Sequence, residues 1–239
     1  MKNAIVTGAT KGIGLAIARR LLEEGYFVVV TYAHDEASAE ACREELARIS
    51  PAFEVVRADQ SDKESMRVFA KSMLQKEHID CIVCNAGTTL RRDLKDITDE
   101  DWERTMQVNL NSSLYLIRDL YDAIPRNSRI VFIGSLMGVH PHGTSLAYGV
   151  SKAAVHALAL NLVKSFEATD TTVNAIAPGF VETEWQASKP AEIRQNIYSK
   201  SAIKRFASPD EVADAVMFCV RNAFVNGSVL EISGGYSFK

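Results

Sequence analysis

The chain has 239 residues, 47% of them apolar and 24% charged, which is ordinary composition for a globular protein. That length buries a full core without a disulfide or metal staple, and the composition excludes a disordered tail, a collagen-like chain and a coiled-coil rod. Lys and Arg number 27 against 30 Asp and Glu, a net charge of −3, so there is no basic field to attract nucleic acid. No apolar run approaches the roughly 18 residues of a membrane span. The opening Met1-Lys2-Asn3-Ala4-Ile5-Val6 is too short a greasy stretch for a signal peptide. The sequence therefore predicts a soluble, cytoplasmic protein without nucleic-acid or membrane partners.

Strand and helix signals alternate along the chain. Strands are predicted at residues 4–7, 27–31, 53–58, 79–84, 129–134, 172–177 and 229–233. Helices are predicted at 13–22, 35–49, 63–75, 101–120, 148–168 and 210–221, with a helical insertion around 190–199. Continuous apolar runs such as Phe27-Val28-Val29-Val30 call for burial on both faces of a sheet. The order predicts an α/β fold: a single doubly wound domain over residues 1–239, with about seven parallel strands, helices on both faces and a lid insertion at about 183–205. Ligands in such sheets lie beyond the carboxyl ends of the strands, so chemistry is sought just after each one.

After the first strand, Thr7-Gly8-Ala9-Thr10-Lys11-Gly12-Ile13-Gly14 opens a helix. Glycines let the backbone turn tightly and approach a diphosphate, and a helix N-terminus offers free N–H groups with a positive dipole end. The spacing is Gly-x3-Gly-x-Gly, not the general G-x-G-x-x-G, and it lacks the Lys-Ser/Thr ending of a nucleotide-hydrolysing loop. A glycine-rich turn alone marks only a tight turn. The strand before it and the helix after it favour nucleotide binding.

Two other motifs point away from metal chemistry. Cys81-Ile82-Val83-Cys84 has a redox or metal spacing, but within a strand it puts the two thiols on opposite faces, as core residues. His140-Pro141-His142 offers two imidazoles in a loop without a carboxylate partner, a weak ligand set. No metal site is expected.

Tyr148-Gly149-Val150-Ser151-Lys152 places a phenol and an ammonium one helical turn apart. By itself the pair reads as a surface tyrosine stacked on a lysine stem. Its company raises it: Ser135, Asn85-Ala86-Gly87 and Pro178-Gly179 each follow a predicted strand, where a nucleotide crevice needs small or polar groups.

Together the ordered set Thr7-Gly8-x3-Gly12-x-Gly14, Asn85-Ala86-Gly87, Asn109, Ser135, Tyr148-x3-Lys152 and Pro178-Gly179 resembles the short-chain dehydrogenase/reductase family, from the first strand to the last residues. Within it, Pro178 to Glu184 and the ending Ser233-Gly234-Gly235-Tyr236 are most similar to the 3-oxoacyl-acyl-carrier-protein reductases. Two positions depart: Cys84 stands where the family usually has Asn, and Gln60 where an aliphatic residue is common.

The resemblance implies a Rossmann-type domain and a carbonyl reductase in which hydride comes from the cofactor. Tyr148 would be the general acid, and Lys152 would lower its pKa from about 10 and bond the nicotinamide ribose. Ser135 would hold the substrate oxygen, and Asn109 a water relaying protons from Lys152. Cofactor contacts would come from Gly8, Thr10, Lys11, Gly12, Ile13, Gly14, Tyr32, Asp59, Gln60, Asn85, Ala86, Gly87, Tyr148, Lys152, Pro178, Gly179, Val181 and Thr183. Asp59 would receive the adenine amino group, although with Ser61 and Asp62 after it Asp59 also reads as a helix cap. The substrate rim would comprise Ser135, Met137, His140, His142, Tyr148 and Trp185. NADP(H) is expected over NAD(H): Tyr32, not an acid, ends the second strand, Asp35 and Glu36 belong to the next helix, and Lys11 supplies a cation for the 2′-phosphate. That contact should contribute about 1–2 kcal/mol.

A homo-oligomer, a tetramer, is expected from the resemblance and from the apolar faces of the two longest helices. The carbonyl is expected to be small or carrier-bound. An acyl carrier protein is acidic, so Arg126 and Arg129, or Arg91 and Arg92, are its expected docking residues, although Asp170 puts an acid in the loop before Thr172-Val173-Asn174. The alternatives are a reductase of another ketone and a dinucleotide-binding regulator without chemistry; such regulators typically lose the tyrosine or lysine retained here.

Overall fold

The computed structural model describes residues 1–141 and 145–236. Its strands are β1 (Asn3–Val6), β2 (Phe27–Tyr32), β3 (Phe53–Arg57), β4 (Cys81–Cys84), β5 (Arg129–Ile133), β6 (Thr172–Pro178) and β7 (Val229–Ile232). The helices are α1 (Gly12–Glu23), α2 (Glu36–Ala47), α3 (Lys63–Met73), α4 (Asp99–Met106), α5 (Ser112–Asp119), α6 (Leu146–Leu162), α7 (Glu184–Ala187), α8 (Ala191–Lys200) and α9 (Pro209–Arg221). Side-chain alternation sets the layers. Ala4 and Val6 of β1 join Ile17, Leu21 and Val216 under α1 and α9, whereas Ile5 between them joins Phe69, Leu116 and Val155 under α3, α5 and α6. Cys81 and Cys84 fall in these opposite layers, buried and unpaired.

All strands run parallel in the order β3-β2-β1-β4-β5-β6-β7. The chain winds outward from β1 to β3, then returns to lay β4 against the other side of β1. Connections after β1 and β4 therefore leave in opposite directions and open a crevice between them.

Two predicted helices differ from the observed ones in ways that matter. Residues 101–120 do not form one regular helix: a π turn, Gln107–Asn111, separates α4 from α5. Ser112 Oγ donates to the Val108 carbonyl (2.9 Å), competing with the helical ladder there. The second, Leu146–Phe166, is 21 residues long and reaches a mean hydropathy of 1.3 over 18 of them, so among the described residues one helix is long and apolar enough, by length and composition only, to cross a membrane. Its inner face packs Val155 and Ala159 against the sheet, with Ser151, Lys152 and His156 also buried. Its outer face exposes Leu146, Val150 and Leu160.

The expected docking residue Arg129 is instead a core residue. It starts β5, only 8% exposed, and its guanidinium donates to the carbonyls of Val220 (3.0 Å), Asn127 (2.9 Å) and Ser128 (2.8 Å). A buried guanidinium needs such acceptors, and turned inward onto them it does not face a partner. Arg126 is exposed beside Asp170 (3.3 Å) and Arg92 is paired with Asp101 (2.8 Å).

Candidate active site

The crevice beyond β1 and β4 is a cavity of about 1030 Å³ that runs from the glycine turn to the lid. Its floor is built by a clamp. Thr7 Oγ1 accepts the N–H groups of Asn85 (3.0 Å) and Ala86 (3.1 Å), and Asn85 Nδ2 donates back to the carbonyls of Thr7 (3.0 Å) and Gly8 (2.8 Å). Gly8 has φ +58 and lies so close to the second loop that a Cβ would meet Ala86 Cα at 2.8 Å. A Cβ on Gly87 would stand 3.4 Å from both Asn109 Oδ1 and Lys152 Nζ. Glycines at these positions let the two loops close at the floor of the crevice, beside the start of α1, whose free N–H groups suit the diphosphate of a dinucleotide.

At the far side of β4, three groups meet. Ser135 follows β5 in extended backbone, and its hydroxyl accepts the Met137 N–H at 3.1 Å. The Tyr148 phenol is hydrogen-bonded to Ser135. Burial pushes the phenol above its ordinary pKa of 10, and the Ser135 bond offsets part of this. Lys152, one turn on and 4% exposed, donates from Nζ to the Ile133 carbonyl at 2.7 Å and lies 5.8 Å from the Tyr148 ring centroid. Burial pulls its ammonium down to about 8. The expected lowering of the phenol by Lys152 is therefore not the governing effect: loss of hydration is.

Asn109 is held in the π turn, 2% exposed. Its Oδ1 accepts the Thr88 N–H (2.7 Å), and its Nδ2 donates to the Thr88 carbonyl (3.0 Å) and to Ser151 Oγ (2.8 Å). Ser151 Oγ in turn donates to the Tyr148 carbonyl (2.7 Å). The extra residue of the π turn thus ties the loop after β4 to the helix that carries Tyr148 and Lys152.

Residues 8–237 match the family model described as Enoyl-(Acyl carrier protein) reductase. The 3-oxoacyl-acyl-carrier-protein reductase of Aquifex aeolicus is 32% identical over 240 residues, covering 98% of this chain and 96% of that one. The structure of a short-chain dehydrogenase/reductase from Serratia marcescens superposes with a TM-score of 0.93 at 28% identity, covering 99% of this chain and 98% of that one. The chain belongs to the short-chain dehydrogenase/reductase family. The structure of BdcA in complex with NADPH is also similar, with a TM-score of 0.90 at 27% identity and coverage of 99% and 94%.

In this short-chain dehydrogenase/reductase most of the expected ligand-binding positions line the crevice, and the exceptions have physical causes. Tyr32 does not line it. Thr31 points to the glycine turn, accepting the Gly8 N–H at 3.1 Å, so alternation turns Tyr32 to the other face, where its hydroxyl donates to Glu36 at 2.7 Å. Ala33 and His34 line the crevice instead, and neither is an acid. Thr10 is buried beneath the turn and is not among the lining residues. Asp59 lines the crevice and accepts Ser61 N–H (2.8 Å), while the cap of α3 is Asp62, which accepts the Glu64 N–H. Gln60 lines it too, its amide turned inward toward Thr31 Oγ1 at 3.5 Å.

Lys11 is not a free cation. Its Nζ lies 2.7 Å from Glu184 and 3.0 Å from Asp35, and both carboxylates raise its pKa, Glu184 more. Asp35 caps α2 through Ser38, as the sequence suggested, and that cap holds its carboxyl well below the ordinary range. Glu184 was not singled out from sequence, because it approaches Lys11 only when the lid folds over the turn.

Around the rim, Met137 and Trp185 line the cavity. His140 does not; its N–H donates to the Leu136 carbonyl, closing the turn after Ser135. His142 lies outside the described residues. Arg91 also lines the crevice; on the lid, burial lowers the pKa of Lys189 and the charge of Arg91 adds to this. Among the described residues no group of three or more His, Cys, Asp or Glu is arranged to hold a metal ion.

Proposed function

We propose that this protein is an NADPH-dependent carbonyl reductase whose substrate is a 3-oxoacyl group on an acyl carrier protein. One observation carries the chemistry: Ser135, Tyr148 and Lys152 line the same crevice as the glycine turn. NADPH, when bound, supplies the hydride. It would lie over Gly8, Gly12 and Gly14, its diphosphate at the start of α1 and its nicotinamide end toward Tyr148, with Gly87, Pro178, Gly179, Val181 and Thr183 around it. The Ser135 hydroxyl donates to the substrate oxygen and stabilises the charge that develops there. The Tyr148 phenol, kept protonated by burial, gives its proton to that oxygen. Lys152 replaces it, through a water over Gly87 where Asn109 Oδ1 and Lys152 Nζ both face. A regulator without chemistry would have no use for this buried constellation.

Tyr148→Phe should lower turnover by about 10²–10⁴, with NADPH affinity and thermal stability close to wild type; stopped-flow kinetics, fluorescence titration and a thermal melt measure the three. Near-wild-type turnover would remove Tyr148 from the mechanism.

Lys11 would read the 2′-phosphate in competition with Glu184 and Asp35, aided by the lack of a carboxylate at Ala33 and His34. Lys11→Ala should weaken NADPH about fivefold more than NADH, the small end expected for a half-exposed, shared cation. Equal weakening of both, by titration, refutes this reading.

For the carrier protein, Arg91 on the crevice wall, with Lys189 on the lid, takes the docking role in place of the inward-facing Arg129. Arg91→Glu should raise KM several-fold for the carrier-bound substrate and leave KM for the same acyl group on a short thiol unchanged. Indifference of both would favour a free small ketone, bound in the crevice beside Met137 and Trp185.

We also propose a homotetramer. Two separate apolar faces are exposed: Leu114 with Leu146, Val150 and Leu160 on α5 and α6, and Phe218 with Phe224, the latter 98% exposed. Two faces, each pairing with itself, generate a closed tetramer. Light scattering should give four times the chain mass of 26.3 kDa; an active monomer at the same concentration contradicts it.

A further inference from the structure

His156 is a buried polar residue that none of the steps above uses. It stands one helical turn after Lys152 on α6, 7% exposed, behind the loop that carries Ser135. Its Nε2 accepts the Ser135 backbone N–H at 3.3 Å. The loop is shaped around this ring. A Cβ on Gly134, the residue before Ser135, would lie 2.0 Å from His156 Nε2 and 2.4 Å from Cδ2. A Cβ on Gly138, three residues after Ser135, would lie 3.0 Å from Cε1 and 2.6 Å from the Lys152 carbonyl carbon. Two glycines therefore flank Ser135 and admit one imidazole between the loop and the helix.

Volume alone does not explain an imidazole here. An aliphatic side chain would fill the space but would leave a buried N–H without this acceptor. To accept from Ser135, Nε2 must be unprotonated, which places the ring proton on Nδ1. Burial, reinforced by the charge of Lys152, lowers the ring's pKa to about 4, so the lone pair on Nε2 is available across the neutral range. Ser135 is then held at three points: its N–H by His156, its carbonyl by the Gly138 N–H (2.9 Å) and its Oγ by the Met137 N–H (3.1 Å). With Oγ accepting from Met137, the direction of its remaining hydroxyl bonds follows from where the main chain is fixed.

We infer that His156 is a positioning residue for the reaction: by accepting the Ser135 N–H it fixes the backbone that aims the Ser135 hydroxyl at Tyr148 and the substrate oxygen. The inference rests on the catalytic reading of Ser135 and Tyr148. It makes α6 the carrier of three functions in three successive turns, with Tyr148 in front, Lys152 below and His156 holding Ser135 from behind.

The test compares His156→Met, which approximates the ring's volume without the acceptor, with His156→Gln, whose Oε1 replaces it. The Met variant should lose about five- to tenfold in kcat, the scale of one lost buried hydrogen bond. Its NADPH affinity should stay within about twofold of wild type, as expected for an interaction that acts on the reacting groups and not on the cofactor. The Gln variant should recover most of the loss. In a cycle with Ser135→Ala, adding His156→Met should cost little more, because the group it aims is gone. If the Met variant does not fold, His156→Asn, whose amide falls short of Ser135, takes its place. Wild-type kcat in the variant lacking the acceptor, or losses that add fully with Ser135→Ala, would overturn the inference. Wild-type kcat in Ser135→Ala alone would instead overturn the catalytic reading on which it rests.

Discussion

Where β1 and β4 end side by side, their connections must part, and the backbone groups just beyond the ladder lose their sheet partners. Thr7 and Asn85 supply replacements: one hydroxyl accepts two N–H groups, and one carboxamide donates to two carbonyls. The rest of the site depends on this exchange. It brings Gly8 against Ala86 so closely that no side chain fits between them, and it fixes the start of α1 relative to the loop that leads to Asn109. A crevice opened by topology alone would be a gap between mobile loops. Tied at its base, it becomes a cradle of defined width.

Away from that clamp, burial controls the chemistry. Lys152 and Tyr148 lie in a region where water is scarce, so the ammonium is pulled down to about 8 and the phenol pushed up. Both shifts suit proton delivery to a carbonyl near neutral pH: the phenol stays protonated and the ammonium exchanges readily. His156 belongs to the same economy of buried polar groups, neutral for the reason that Lys152 is depressed. The lid is governed differently. Lys11 links the glycine turn both to Asp35, the cap of α2, and to Glu184 at the first turn of the lid, and Thr183 rests against Gly12. These are exposed ion pairs, individually weak, which suits a segment that must let ligands pass.

Much of the fold and of the site was legible in the sequence. Unbroken apolar runs such as Val28-Val29-Val30 require a strand covered on both sides, and their alternation with amphipathic helices leaves few arrangements other than a parallel, doubly wound sheet. Gly8, Gly12, Asn85 and Ser135 were found because each follows a strand or opens a helix, where local pattern and topology coincide, and Tyr148 and Lys152 by their spacing of one helical turn in that company. Asn109 was found through family likeness only, since a π turn leaves no periodic signature.

What the sequence by itself determined is therefore the set of elements, their order and the chemical groups offered at the strand ends, because these follow from local periodicity and the covalent spacing of a few residues. Tertiary structure alone decided where side chains distant in sequence come to rest. Arg129 was drawn into the core by three carbonyls from two segments, one of them 91 residues away. Tyr32 was turned from the crevice by the pairing of Thr31 with Gly8, leaving Ala33 and His34 to face it. His156 was set behind Ser135 by two glycines on another element. Each of these outcomes depends on which buried donor finds which acceptor, and that choice exists only once the layers have closed and excluded water.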